Sequence, residues 1–173
     1  MTLKNLLEGS CRDIIQIGIM TDDFFGTLDQ LIDKYGLGPW DTYIHSEETL
    51  QGPIIKEGYC DPHFKFHCGV AMMGNIQLEV IQPVYGVPFY SSFLEKNGPG
   101  LHHIKEKVAP EKFDAVIEKY AEMGMPPIFG ARLFESRFTF VDTLGTLGFQ
   151  LEIGNGRSPS SVPAEWKKVY TRK

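Results

Sequence analysis

Residues 14–39 read IIQIGIMTDDFFGTLDQLIDKYGLGP, and residues 101–126 read LHHIKEKVAPEKFDAVIEKYAEMGMP. Each stretch opens as a short strand, passes through an acidic or proline-containing turn, and continues as an amphipathic helix. Apolar residues at helical spacing carry the helix assignments: Phe24, Leu28, Leu31 and Ile32 in the first copy, Phe113, Val116, Ile117 and Tyr120 in the second. Lys34-Tyr35 and Lys119-Tyr120 hold matching places, and Gly36 and Gly124 stand where helix-terminating glycines belong, with a proline soon after each. The copies also close alike, on Gln77-Leu78-Glu79-Val80 and Gln150-Leu151-Glu152-Ile153.

Between helix and closing strand each half has room for two more strands. These fall around Trp40–His45 and Phe64–Met72 in the first half, and Ile128–Phe134 and Arg137–Asp142 in the second. The chain is therefore expected to be a duplicated α+β protein of two tandem βαβββ modules. A single domain over 1–173 is expected, with module 1 at about 13–96, module 2 at about 98–156 and a tail from 157 to 173. Asn97-Gly98-Pro99-Gly100 makes the joint. In the tail, Trp166 either anchors on the domain or on a second subunit, or is the one packed aromatic of a mostly solvated end.

Side chains alternate along a strand, so parity decides which residues share a face. Gln16 interrupts the isoleucines of its strand, and His103 holds the same place in the second copy. Glu79 and Glu152 each sit between two large aliphatic residues. Each has an ordinary alternative. The glutamates would be solvated, the histidine packed or on the surface, and the amide bonded to backbone. Four polar exceptions at matched repeat positions argue for a shared site instead. If the repeats pack about a pseudo-twofold axis, Gln16, Glu79, His103 and Glu152 form two equivalent pairs facing one cavity. One imidazole, two carboxylates and an amide oxygen suit a divalent ion such as Mg²⁺, Mn²⁺, Co²⁺ or Zn²⁺. Of His102 and His103, alternation lets only one face inward.

Composition narrows the function classes. A formal net charge of −5 argues against a nucleic-acid partner, which needs a clustered basic surface. The 42% hydrophobic content is enough for a buried core. No stretch approaches the roughly 18 apolar residues of a membrane span, and the N-terminus lacks a signal-peptide pattern. Three cysteines, Cys11, Cys60 and Cys68, without zinc-type spacing point to a reduced, cytoplasmic setting.

The segments IGIMTDDF, GLGPW, NIQLEVIQP, FLEKNGPGLHHI and FVDTLGTLGFQLEI resemble the vicinal oxygen chelate superfamily of glyoxalases, extradiol dioxygenases and methylmalonyl-CoA epimerases. They look most like the epimerase branch. The resemblance implies a curved mixed sheet around a central cavity, often in a homodimer. It also implies metal ligands on the first and last strand of each module: Gln16, Glu79, His103 and Glu152. Gln16 departs from the family pattern, which usually has His there. The implied chemistry removes a proton from a carbon next to a carbonyl and returns it to the other face. Glu152 is the family-like base and also a ligand. The partner base has no obvious acid: the corresponding strand reads Phe66-His67-Cys68-Gly69, from which His67 is chosen over Cys68. His45, His63, Glu47 and Glu48 are expected at most to line the mouth. Phe24, Phe25, Trp40, Phe89, Tyr90 and Phe129 are candidate cavity walls, with a plain core role as the default. The expected function is a small-molecule epimerase or racemase acting on methylmalonyl-CoA or another carbon acid such as a cyclic ketone. The alternatives are a glyoxalase-type lyase and a non-catalytic binding protein of the same fold.

Overall fold

The computed structural model describes residues 2–7, 13–55, 58–157 and 162–172. Cys11 and part of the 157–173 tail lie outside them. The elements run α1 (Leu3–Leu7), β1 (Ile14–Met20), α2 (Phe24–Tyr35), β2 (Trp40–Ser46), β3 (Gln51–Ile55), β4 (Lys65–Met73), β5 (Ile76–Tyr85) and α3 (Pro88–Asn97). Then follow β6 (Gly100–Lys107), α4 (Phe113–Glu122), β7 (Pro127–Leu133), β8 (Ser136–Val141), α5 (Leu144–Leu147), β9 (Gln150–Gly154) and β10 (Lys168–Tyr170).

The two long helices of the repeat form where their sequences start and stop them. Asp23 caps α2, its Oδ1 accepting from the Gly26 N–H at 3.1 Å. Gly36, at φ 65°, ends the helix, with its N–H bonded to the Ile32 carbonyl and that of Leu37 to the Leu31 carbonyl. In the second copy Gly124 follows α4 at φ 83°. Helix α2 covers the outer face of the first half through Phe24 and Leu28, which meet Leu78 and Val80. Helix α4 does the same for the second through Phe113, Val116 and Tyr120, which meet Val141 and Ile153.

The strands make one curled sheet in the order β10-β2-β4-β5-β1-β6-β9-β8-β7-β3. Its centre is two four-strand sets, β2-β4-β5-β1 and β6-β9-β8-β7, joined where β1 and β6 run antiparallel. The register shows the repeat in detail. Gln16 pairs with Lys105 and Gly18 with His103 across that seam. On the flanks Gln16 and Gly18 pair with Gln77 and Glu79, as His103 and Lys105 pair with Gln150 and Glu152. A pseudo-twofold axis at the seam thus carries Gln16 onto His103, Gly18 onto Lys105, and Glu79 onto Glu152.

Strands β3 and β10 and helices α1, α3 and α5 were not read from the sequence. Strand β3 leaves the first half and pairs with β7 of the second, only four residues after β2. Since four residues span so little, the curl must bring the two far edges close together. Strand β10, from the tail, pairs with β2 and covers that edge. The tail therefore docks on its own chain: Tyr170 donates its hydroxyl to Asp29 at 2.9 Å, and the Trp166 ring lies 5.7 Å from that of Phe134. Helix α3 packs Phe89, Tyr90 and Phe93 into the concavity against Phe66, Phe129 and Phe140, so most of the sheet's inner space is solid core.

Candidate metal centre

Glu79, His103 and Glu152 come from three different strands of both halves and meet around one imidazole nitrogen. His103 Nε2 lies 3.1 Å from Glu79 Oε2 and 3.2 Å from Glu152 Oε2. Their ligand atoms all fall within 4.8 Å of one another. The ring can stand there because Gly18 has no side chain: a Cβ at that position would be 1.8 Å from His103 Cε1. All three residues are buried.

Two polar atoms at this level have no hydrogen-bond partner, His103 Nε2 and Gln16 Oε1. The carboxylate oxygens lie within ion-pair distance of Nε2, outside the alignment of an N–H hydrogen bond. Gln16 spends its amide hydrogens on Gln77, donating to Oε1 at 2.8 Å, which leaves its own oxygen free. Buried polar atoms are rarely left unpaired, so an unpartnered imidazole nitrogen and amide oxygen beside two carboxylates fit a divalent ion.

The neighbours tune this set. Cys68 Sγ donates to Glu79 Oε1 at 3.2 Å. Burial pushes the Glu79 carboxyl up, but His103, Lys105 and Cys68 outweigh it and hold the group below the ordinary carboxylate value. The Cys68 thiol is pushed well up by burial and by Glu79, so it acts as a donor and not as a thiolate. Lys105 Nζ sits 2.8 Å from Glu152 Oε1.

His102 lies behind the ligand, its Nδ1 3.0 Å from His103 Nδ1. A His103 that held an ion through Nε2 would carry its proton at Nδ1, within hydrogen-bond distance of His102. The expectation that only one of this pair faces inward is corrected by a β-bulge. Between Gly18 and Ile19 the register jumps from His103 to Leu101, so alternation fails there and both rings reach Phe140.

The cavity above the cluster measures about 50 Å³. Its polar lining is His45, Tyr90, Lys105, Ser136 and the two glutamates, set among Phe66, Phe138, Phe140 and Leu133. His45 is half-buried between the Tyr43 and Phe66 rings, with Nδ1 itself buried and unpartnered. Burial lowers its pKa to about 4, although Glu79 pulls the other way. The sequence undervalued both His45 and Lys105. Parity held the signal for each: Lys105 is two residues beyond His103, and His45 two beyond Tyr43.

His67 is not brought to the cluster. Phe66 and Cys68 face the concavity, so His67 points outward, stacked at 5.3 Å on Phe24 of α2. Its assignment as the second base is thereby corrected. Of the aromatic residues expected as walls, Tyr90 lines the cavity and Phe89 and Phe129 pack in the surrounding core. Phe24 and Trp40 belong to the α2 layer, and Phe25 is half exposed. His63 is spent on Glu47, at 3.0 Å.

A family model described as Glyoxalase/Bleomycin resistance protein/Dioxygenase superfamily matches residues 15–140. No curated protein matches the chain. Among solved structures, a methylmalonyl-CoA epimerase in complex with methylmalonyl-CoA and NH4+ is similar with a TM-score of 0.59 at 21% identity, covering 84% of this chain and 94% of that one. A Streptomyces coelicolor methylmalonyl-CoA epimerase variant bound to 2-nitronate-propionyl-CoA gives 0.61 at 21% identity, over 86% and 100%. The Mycobacterium tuberculosis epimerase gives 0.57 at 16% identity, over 84% and 88%. At these identities the likeness establishes the fold.

Proposed function

The chain belongs to the glyoxalase/bleomycin resistance/dioxygenase superfamily, also called vicinal oxygen chelate, and we propose that within it the protein is a divalent-metal-dependent epimerase or racemase of a carbon acid. The observation that carries this reading is the buried Glu79–His103–Glu152 cluster, drawn from both halves and facing a cavity with an imidazole in another of its walls. Solved epimerases of the same fold bind methylmalonyl-CoA or its analogue, which makes that thioester the first substrate to try.

Gln16, Glu79, His103 and Glu152 would hold the ion, which supplies Lewis acidity toward the charge that develops on a carbonyl oxygen. The chain's own groups move the proton. On one face Glu152 accepts the α-proton at a carboxylate oxygen, and the C–H electron pair passes into the enolate. On the other face His45, entering the step as the imidazolium, returns a proton to the same carbon from a ring nitrogen and is left neutral. In the reverse direction neutral His45, the form that burial favours, accepts the α-proton and Glu152, entering as the carboxylic acid, returns one. Its strand lies far along the curl from β9, yet both residues line one cavity. The aromatic lining excludes bulk water from the enolate.

The test is proton–deuterium exchange at the α-carbon of methylmalonyl-CoA in D₂O, with added Mn²⁺ or Co²⁺ and then with a chelator. Enzyme-dependent exchange abolished by the chelator is expected. His45→Phe should keep exchange on the Glu152 face while inversion falls about a hundredfold or more. Metal-loaded protein that exchanges neither this thioester nor other carbon acids would end the epimerase reading. A glyoxalase-type lyase shares the proton transfer and would show itself as turnover of a hemithioacetal in the same assay series.

A further inference from the structure

Lys105 is a cation that the repeat does not require. The axis relating the two halves places it where the first half has Gly18, so the charge exists on one side only. Its side chain is 5% exposed, with Nζ 2.8 Å from Glu152 Oε1 and 5.8 Å from the centre of the Phe138 ring. A glycine makes room for it. A Cβ on Gly154 would lie 2.3 Å from Lys105 Cε, so Gly154 serves Lys105 as Gly18 serves His103. The ammonium also lines the same cavity as both glutamates.

Charge decides what this cation is for. The two carboxylates neutralise a divalent ion, while Gln16 and a ligating imidazole add nothing, so the charge of Lys105 is left over. Beyond the two glutamates, the cavity that Lys105 lines is walled mainly by Phe66, Ile81, Leu133, Phe138 and Phe140. An uncompensated charge in such a place is costly, and an anionic ligand removes the cost. Size points the same way, since about 50 Å³ admits a short acyl head and not a fused ring.

We propose that Lys105 is a specificity-determining residue that restricts the site to small carbon acids bearing a carboxylate beside the ionising C–H bond, and turns away neutral ketones. The proposal rests on the reading of the cluster as a divalent-metal site.

The test uses the full chain, Mn²⁺, malonate as the anionic probe and malonamide as a neutral probe of the same size. Mn²⁺ uptake is followed first, then binding of each probe to the Mn²⁺-loaded protein by titration calorimetry. Wild type should prefer malonate. Lys105→Met should still take up Mn²⁺ but lose malonate affinity about tenfold or more, with malonamide unchanged. Lys105→Arg, which keeps the charge, should retain a measurable malonate preference and guards against a folding defect in the first variant. Equal binding of the two probes to wild type, or unchanged malonate binding in Lys105→Met, overturns the proposal. Failure of wild type to take up Mn²⁺ overturns the metal reading beneath it, and is seen before any probe is added.

Discussion

His45 sits in the cavity wall with its ring stacked on Tyr43 and one nitrogen unpartnered, and that placement has a thermodynamic consequence. Burial depresses its pKa to about 4, against about 6.5 when the chain is unfolded. Between those values the unfolded state binds the proton and the folded state does not. The contribution of His45 is therefore fully present above pH 6.5 and is lost as the pH falls toward 4. At pH 5 the loss is roughly 2 kcal/mol, approaching about 3 kcal/mol near pH 4. Urea unfolding of metal-free protein at pH 7.5 and 5.0 measures it. His102 is depressed by burial and by His103, so it adds to the slope. His45→Phe should flatten the dependence in part; an unchanged slope would contradict the burial argument. What the residue types could not disclose here was direction. His67 and His45 are both strand histidines, and only pairing of β2 with β4 settles that one points out and the other in.

Among the elements, the two repeat helices α2 and α4 were the most legible. The periodic residues of α2, its aspartate cap and its terminating glycine all stand in the sequence, because a helix is stabilised by contacts three and four residues apart. Asp23→Ala removes the bond to the Gly26 N–H and should cost about 1 kcal/mol, read as a lower urea midpoint with an unchanged slope. No loss of stability would mean that the cap is not formed. The closing strands were legible for a similar reason, through two glutamates at matched places. Strands β3 and β10 were not. Each is short, and each forms by pairing with an edge more than seventy residues away in sequence, β7 for one and β2 for the other. The paired bulges of β1 and β6 were equally hidden, since a bulge is a property of two strands together.

At the scale of the whole molecule, the candidate ion would tie β5 of the first half to β6 and β9 of the second. A ligand bound only by the folded state stabilises by mass action, about 2.7 kcal/mol at a hundred times Kd. For a chain of this size that raises the Tm by roughly 5–10 °C. Calorimetry with Mn²⁺, Co²⁺ or Zn²⁺ against a chelator should show one transition moving upward; no movement with any divalent ion would argue against the centre. The duplication, the limits of its two helices, the closing strands and three residues of the buried cluster could be read from the sequence, because repeats and alternation are local patterns that a single chain displays in order. Only the tertiary structure decided that His45 lines the cavity and His67 does not, that His102 and His103 are both buried, and that Lys105 meets Glu152. Those depend on the register between strands and on the curl of the sheet, which bring residues from distant segments within a few ångströms and leave no local mark in the chain.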